Sequence, residues 1–229
     1  MERLRSVREK IAAAARRSGR DPSAIQVLGA SKLVSVERIR LAVSAGLEHL
    51  GENRVQEAGG KIDELDDLEP PPTWHLIGHL QSNKARHAVR MFDWIHSVDS
   101  FSLAVELDRR AAGRDAPLNV LLEVNTTGEA AKFGVNPSQL LETVEQIGRL
   151  PHLRVRGLMT LGRLSSDPED ARPAFRSLAE LLEQAREKFP ELPLEHLSMG
   201  MSGDYEVAVE EGATWVRIGT GLFGARPGI

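Results

Sequence analysis

The chain has 229 residues, near the size of one α/β barrel, and its 41% hydrophobic and 27% charged residues exclude a disordered protein. Its net charge of −4, with both signs interspersed, provides no basic stripe for phosphates, so we expect no nucleic-acid partner. The absence of cysteine excludes disulfides and thiolate chemistry and fits the cytoplasm. Since no apolar run approaches about 20 residues, we expect neither export nor a membrane span.

The first predicted element is an amphipathic helix over 2–18, in which Leu4, Val7 and Ile11 recur at helical spacing among charges. Gly19 ends this helix. The chain then repeats one rhythm, a short aliphatic or β-branched run followed by a longer amphipathic segment. The eight predicted strands cover 25–30, 47–51, 73–78, 93–98, 118–125, 153–161, 194–200 and 213–219.

The clearest intervening helices are predicted at 34–46 and 168–189. Strand-then-helix units in unbroken succession predict parallel strands joined by helical crossovers. A closed (β/α)8 TIM barrel accommodates eight such units better than an open sheet does. The Pro- or Ser-rich stretches at 66–72 and 162–168 lie between units of the same rhythm. We interpret them as surface loops and predict that 1–229 is a single domain.

Catalytic residues of this fold lie at the C-terminal ends of the strands, and Lys32 directly follows the first one. Its stem would begin inside the barrel mouth, with its amine among apolar walls. Desolvation favours the neutral amine, which is the form that attacks a carbonyl to make an imine. A solvated surface lysine remains the alternative, since the chain has 29 Lys and Arg residues. Lys132, after strand five, could offer a second amine, although a solvated loop lysine is favoured there.

Two glycine-containing segments, SMGMSGD at 198–204 and RIGTGLFGAR at 217–226, follow or end the last two strands. Gly219 and Gly221 would let the backbone approach an anion closely, and Thr220 offers an N–H group and a hydroxyl. The opposite wall of such a site would be supplied by Ser198, Gly200 and Ser202. These segments indicate either a phosphate site or tight βα turns, and both interpretations stay open.

Histidines and glutamates near the strands are further candidates. His75, His79 and His96 could be imagined as a metal site, but no spacing resembles a ligand set. A strand-borne histidine more often satisfies a local hydrogen bond, so we predict no metal. Glu52 and Glu57 could act as acid/base groups, although capping of the following helix is the favoured interpretation.

Several longer motifs follow one another along nearly the whole chain. They are REKIAAAARRSGRDPS at 8–23, GENRVQE at 51–57, WHLIGHLQSNKAR at 74–86, IHSVDS at 95–100, LLEVNTTGEAAKFGV at 121–135, VRGLMTL at 155–161, and the two glycine-containing segments. Together with the strand before Lys32, they resemble the YggS/PROSC family of pyridoxal 5'-phosphate (PLP) homeostasis proteins. Departures occur at Arg54, where many members have Tyr, and at His79, where many bacterial members have Pro.

The resemblance implies a barrel similar to the N-terminal domain of alanine racemase, with PLP held as a Schiff base on Lys32. It also implies that Arg217 faces the pyridine nitrogen and that Asn53 lies near the ring. The residues that match the phosphate loops are Ser198, Ser202, Gly219 and Thr220. Which of the two serines contacts the phosphate is left open.

A carrier function follows from these implied contacts. An arginine at the pyridine nitrogen disfavours its protonation and makes PLP a weak carbanion stabiliser. Racemisation also needs a second acid/base, which alanine racemases take from a tyrosine of a second domain; here Tyr205 is the only tyrosine.

We therefore expect a cytoplasmic, monomeric PLP carrier of vitamin B6 homeostasis without enzymatic turnover. Apo PLP-dependent enzymes and free amino acids are its expected acceptors. The alternatives are a racemase-like PLP enzyme and a cofactor-free Schiff-base aldolase.

Overall fold

The computed structural model describes residues 2–129, 133–162 and 165–225, which alternate between strands and helices. The strands are β1 (Gln26–Ala30), β2 (His49–Glu52), β3 (Thr73–Leu76), β4 (Trp94–Val98), β5 (Leu118–Glu123), β6 (Leu153–Met159), β7 (His196–Ser198) and β8 (Trp215–Ile218). The helices are α1 (Glu2–Arg17), α2 (Val36–Ser44), α3 (Val55–Glu64), α4 (Ala85–Met91), α5 (Phe101–Ala111), α6 (Leu140–Gly148), α7 (Arg172–Lys188), α8 (Tyr205–Glu210) and α9 (Thr220–Phe223). Short 3₁₀ turns cover Pro22–Ala24, Ser82–Lys84, Pro137–Gln139 and Pro168–Ala171.

The strands close into a barrel in chain order, with every neighbouring pair parallel and β1 paired with β8. The predicted (β/α)8 barrel is confirmed, and each strand lies within two residues of its predicted bounds. The strand predicted at 194–200 is shortened to β7. At the C-terminal end the physical reason is Gly200, whose φ of +88° turns the backbone away from the extended conformation.

Helix α1 lies outside the barrel and packs against α8 and α9. It buries Leu4, Val7 and Ile11, the residues whose spacing predicted it, and Gly19 follows it with a φ of +70°. The segment predicted as one helix at 168–189 contains two elements. It begins with the 3₁₀ turn Pro168–Ala171, and α7 follows directly at Arg172. No helix in the described ranges combines the length and the hydrophobicity needed to cross a lipid bilayer.

Two kinds of core lie on the two sides of the sheet. An extensive aliphatic core fills the layer between the strands and the surrounding helices. Inside the barrel, a small cluster of Leu28, Ile77 and Trp215 packs with Ala30. The rest of the described interior includes buried polar side chains, among them His75 and His96. Because strand side chains alternate between the two faces of the sheet, these polar side chains point toward the barrel axis. The barrel interior is therefore polar beneath the C-terminal ends of the strands.

Candidate functional site

A cavity of about 480 Å³ lies at the C-terminal ends of the strands. Its wall includes Ala30 at the end of β1, Asn53 after β2, Glu123 at the end of β5 and Arg217 in β8. The loops after β7 and β8 complete it with Met201, Ser202, Gly203, Asp204, Gly219 and Thr220. A cavity of about 550 Å³ on the outer side of the same loops, against α1, contains none of the barrel-interior groups. The first cavity is therefore the candidate site.

The loops after β7 and β8 are joined by a hydroxyl. Ser202 Oγ accepts hydrogen bonds from the backbone N–H groups of Gly219, at 3.2 Å, and Gly221, at 3.3 Å. Because both bonds are accepted, the hydroxyl hydrogen of Ser202 is not used in them. Thr220 is the first residue of α9, at the end of that helix where an anion is favoured. These groups form a surface suited to an anion.

Arg217 is 4% exposed and contributes to the cavity wall. Its Nη1 donates to Ser198 O at 2.7 Å and to Ser198 Oγ at 2.8 Å, and its Nη2 donates to Thr160 O at 2.7 Å. Burial lowers the pKa of Arg217 to about 10, partly offset by Asp204 and Glu123, so it remains a cation at neutral pH. Three of its five N–H groups are used in these bonds, which leaves two for other acceptors.

The two serines left open by the sequence occupy different places. Ser202 lies on the cavity wall, whereas Ser198 is fully buried and is not part of that wall. The Ser198 hydroxyl instead contacts the Arg217 guanidinium and, at 3.0 Å, His96 Nδ1. The physical reason is that Ser198 ends β7 with its side chain toward the barrel axis, below the cavity.

Asn53 contributes to the cavity wall because the ends of β2 and β3 approach each other closely. A Cβ atom added at Gly78 would lie 2.4 Å from the backbone oxygen of Asn53, so this approach requires glycine. Asn53 and Gly78 both line the cavity.

Lys32 is half-buried and lies two residues beyond the end of β1. The Lys32 side chain does not form part of the cavity wall, although Ala30 does. The next residue, Leu33, has a φ of +59°, which is unusual for a residue with a side chain. The structure thus places Lys32 in a tight turn beside the cavity.

The sequence did not predict the buried charged cluster that supports this turn. Lys61 Nζ donates to Ser31 O and Glu52 Oε1, both at 2.6 Å, and to Glu57 Oε1 at 2.8 Å. Glu57 Oε1 also accepts from the Leu33 N–H group at 2.6 Å. The capping interpretation is therefore wrong for Glu52, which ends β2 and is not in a helix, and incomplete for Glu57 in the first turn of α3. The i,i+4 spacing of Glu57 and Lys61 was the available signal.

Glu123 was a second missed residue. It is 5% exposed and faces the cavity. Burial and the nearby Asp99 carboxylate raise the pKa of Glu123 to about 7, while Arg217 lowers it. Asp99 Oδ2 also lies 3.2 Å from His79 Nδ1, and the His79 ring stacks on Phe133 with 3.6 Å between ring centroids. The wall near β3 to β5 therefore combines an acid that can titrate near neutrality with an aromatic stack.

The other candidates are resolved by contacts. His75 Nδ1 lies 3.0 Å from His96 Nε2, so each satisfies a local hydrogen bond. In the described ranges, no group of three or more potential ligands could hold a metal ion. Lys132 lies outside the described residues.

Comparison with known proteins decides the family. The sequence-family model of the alanine racemase N-terminal domain matches residues 3–227. A pyridoxal phosphate homeostasis protein of Aquifex aeolicus is 47% identical over 225 residues, covering 98% of this chain and 97% of the relative. The chain belongs to the pyridoxal phosphate homeostasis protein family.

Solved structures agree with this family in fold. The structure of PipY from Synechococcus elongatus with PLP bound superimposes with a TM-score of 0.86 at 42% identity, covering 97% of this chain and 99% of PipY. Alanine racemase of Clostridium difficile superimposes with a TM-score of 0.74 at 14% identity, and the match covers 100% of this chain and 58% of the racemase. That second likeness shows the alanine racemase barrel alone.

Proposed function

We propose that this protein binds PLP through Lys32 and carries it in intracellular vitamin B6 homeostasis. The observation that carries the proposal is the cavity itself. The buried Arg217 guanidinium and the loops after β7 and β8, which are suited to an anion, both line this cavity, and Lys32 lies beside it. Its volume of about 480 Å³ is within the usual range for cofactor sites. The naming of the relatives and the PLP bound in PipY support the same conclusion.

The donor set fits the groups of this cofactor. Ser202 and Thr220 would hold the phosphate with hydroxyl and N–H donors beside Gly219, whose own N–H group donates to Ser202 Oγ. Arg217 would donate to the ring nitrogen. Asn53 would lie near the ring. Ser198, whose hydroxyl is turned to Arg217, would act through that guanidinium instead of on the phosphate.

When bound, PLP supplies an aldehyde that condenses reversibly with a primary amine. Lys32 supplies that amine in our proposal, because it lies two residues after the strand whose last residue, Ala30, lies on the cavity wall. The turn at Leu33, held by Glu57, fixes where the lysine stem begins. Because this condensation is reversible, an incoming primary amine could bind the same aldehyde carbon in place of Lys32, whose amine would then leave.

Borohydride reduction followed by peptide mapping tests the attachment. We expect one pyridoxyl group on Lys32, and the Lys32→Ala variant should lose the visible absorbance of the lysine-bound cofactor. Lys84→Ala is the matched control, since Lys84 is also a half-buried lysine after a strand. An unchanged yellow band in Lys32→Ala would show that another lysine carries PLP.

We further propose that the protein releases PLP to apo enzymes or amino acids and does not itself turn over amino acids. Arg217, a cation at neutral pH, disfavours protonation of the ring nitrogen and so weakens PLP as an electron sink. The racemase-like alternative rests on the alanine racemase fold. Tyr205, however, is buried at the start of α8 and is not part of the cavity wall.

Domain organisation, oligomeric state and cellular location are the last parts of the proposal. We propose that 1–229 acts as one cytoplasmic domain and as a monomer. Light scattering after size exclusion would test the monomer, with a mass of two chains as the contradicting result. Limited proteolysis would test the single domain, which should yield no stable fragment shorter than the barrel.

A further inference from the structure

Three imidazoles form a continuous hydrogen-bonded line through the barrel interior, which we call the imidazole chain. His49 Nδ1 lies 3.2 Å from His75 Nε2, and His75 Nδ1 lies 3.0 Å from His96 Nε2. His96 Nδ1 lies 3.0 Å from Ser198 Oγ, which accepts from Arg217 Nη1 at 2.8 Å. The line therefore begins at the N-terminal end of β2, crosses β3, β4 and β7, and ends on the guanidinium that faces the cavity.

The guanidinium constrains the direction of these hydrogen bonds. Arg217 can only donate, so Ser198 Oγ is an acceptor on that side. Among the described residues, the other contact of this hydroxyl is His96 Nδ1, and its hydrogen is satisfied by donation there. His96 then carries its hydrogen on Nε2 and donates to His75, which donates in turn to His49. With Ser198 as the donor to His96, all three imidazoles are Nε2–H tautomers.

Such a chain requires neutral imidazoles, because an imidazolium has no acceptor nitrogen. Burial lowers the pKa of His75 and of His96 well below its usual value, and the neighbouring charge of Arg217 lowers that of His96 further. The rings are also held by aromatic contacts, with Trp215 4.9 Å from His75 and 6.2 Å from His96 between centroids. Neutral, tightly packed rings give the chain one arrangement.

We propose that His96, acting through Ser198, positions the Arg217 guanidinium toward the cofactor cavity, and that His75 extends this support toward the base of the barrel. His96 is a positioning residue, since it lies below Ser198 and does not line the cavity. The inference deepens the proposed PLP site and rests on it for its effect on the cofactor. Its effect on Arg217 itself does not depend on PLP.

The test uses two variants that break the chain next to the guanidinium. His96→Leu removes the acceptor of the Ser198 hydrogen, and Ser198→Ala removes a single oxygen. We expect the crystal structures of both cofactor-free variants to show a displaced Arg217 side chain. We also expect the dissociation constant of PLP to rise about tenfold, with a shifted visible spectrum of the bound cofactor.

His196→Leu is the matched control. His196 also lies on a strand among the same tryptophans, 5.8 Å from Trp215 between centroids, but it is not a member of the chain. It should lose stability without changing the Arg217 position, the PLP affinity or the spectrum. His96→Asn, which can keep an acceptor near the place of Nδ1, should recover most of the wild-type affinity.

Nitrogen NMR of the cofactor-free wild type gives a readout that needs no ligand. Resonances of His75 and His96 as Nε2–H tautomers support the chain, whereas Nδ1–H tautomers overturn it. An unmoved Arg217 in both Ser198→Ala and His96→Leu, or in Ser198→Ala alone if His96→Leu does not fold, also overturns the proposal. Failure of the wild type to bind PLP would instead refute the proposed function, and the tautomers and the Arg217 position would still decide the inference.

Discussion

Glu123 and Arg217, at the scale of single residues, give the cavity wall one group that keeps its charge and one that can lose it. Arg217 has a pKa of about 10 and Glu123 a pKa raised by burial from 4.5 to about 7. Between about 4.5 and 7, the folded protein keeps a proton on Glu123 that the unfolded chain has released. Folding stability from this group is therefore present at low pH and is lost as the pH rises through that window.

Glu123→Gln tests this assignment, because an amide resembles the protonated acid at every pH. The variant should match the wild type at pH 5 and exceed its free energy of unfolding by about 1 to 3 kcal/mol at pH 8. Urea unfolding at both pH values measures the difference. Glu145→Gln, on the exposed side of α6, should show no such trend. A destabilised Glu123→Gln at pH 8 would mean that the carboxylate is stabilised by Arg217 more than burial costs it.

Thr220→Ala probes the phosphate loops. The substitution removes one hydroxyl and leaves the backbone N–H group, so PLP binding should weaken by about 1 to 2 kcal/mol. Equilibrium dialysis with PLP and with pyridoxal separates the two groups of the ligand, and only the PLP affinity should fall. Thr143→Ala on α6 is the control, since its hydroxyl donates to the backbone oxygen of Gln139, directly before that helix. Equal affinity of the wild type for pyridoxal and PLP would place the phosphate elsewhere.

The turn between β1 and α2, at the scale of elements, is held by a charged cluster instead of a cap. Lys61 on α3 reaches Ser31, Glu52 and Glu57, and Glu57 holds the N–H group of Leu33 in its left-handed conformation. Burial raises the pKa of Glu52, and hydrogen bonds from Lys61 and Ser31 act in the opposite sense. One helix thereby fixes the loop of another βα unit.

Lys61→Met should remove this support. It leaves the fully buried Glu52 carboxylate with no cation beside it, so we expect the free energy of unfolding to fall by about 3 to 5 kcal/mol. Denaturant unfolding measures the loss, and borohydride labelling of Lys32 should slow in the same variant. Lys10→Met on the exposed face of α1 should change stability by less than about 0.5 kcal/mol. A loss of under about 1 kcal/mol in Lys61→Met would show that the cluster contributes little.

The whole barrel, in our proposal, exposes PLP to exchange without equipping it for proton abstraction. The cavity wall includes no tyrosine among the described residues, and Arg217 weakens the electron sink. Amine exchange needs only access to the cofactor, whereas racemisation needs acid/base groups on both of its faces.

Amino-acid turnover separates the carrier from the racemase-like enzyme. We expect apo PLP-dependent enzymes to be activated by the loaded protein, while no L-amino acid is racemised, decarboxylated or transaminated faster than by free PLP. Chiral chromatography of a panel of amino acids measures the second part, with free PLP at equal concentration as the control. Turnover at roughly 1 per second or more would establish the enzyme instead.

The sequence by itself determined the order of elements and the end of the barrel at which the chemistry lies. Short aliphatic or β-branched runs and the helical spacing of the amphipathic segments between them are local information, so eight strands were predicted within two residues of their bounds. The strand ends followed from the same pattern, and the family resemblance then implied that Asn53, Ser202, Arg217 and Thr220 belong to one site. All four line one cavity.

Only the tertiary structure decided which partners these residues have. Ser198 and Ser202 are four residues apart in the chain, and their separation into barrel interior and cavity wall depends on how β7 packs against β8. The imidazole chain, with Ser198 and Arg217 at its end, joins residues of five strands, and the Lys61 cluster joins residues up to 30 positions apart. Burial and charge at such points arise from the closed sheet, and no local pattern encodes them, because they depend on distances between residues remote in the chain.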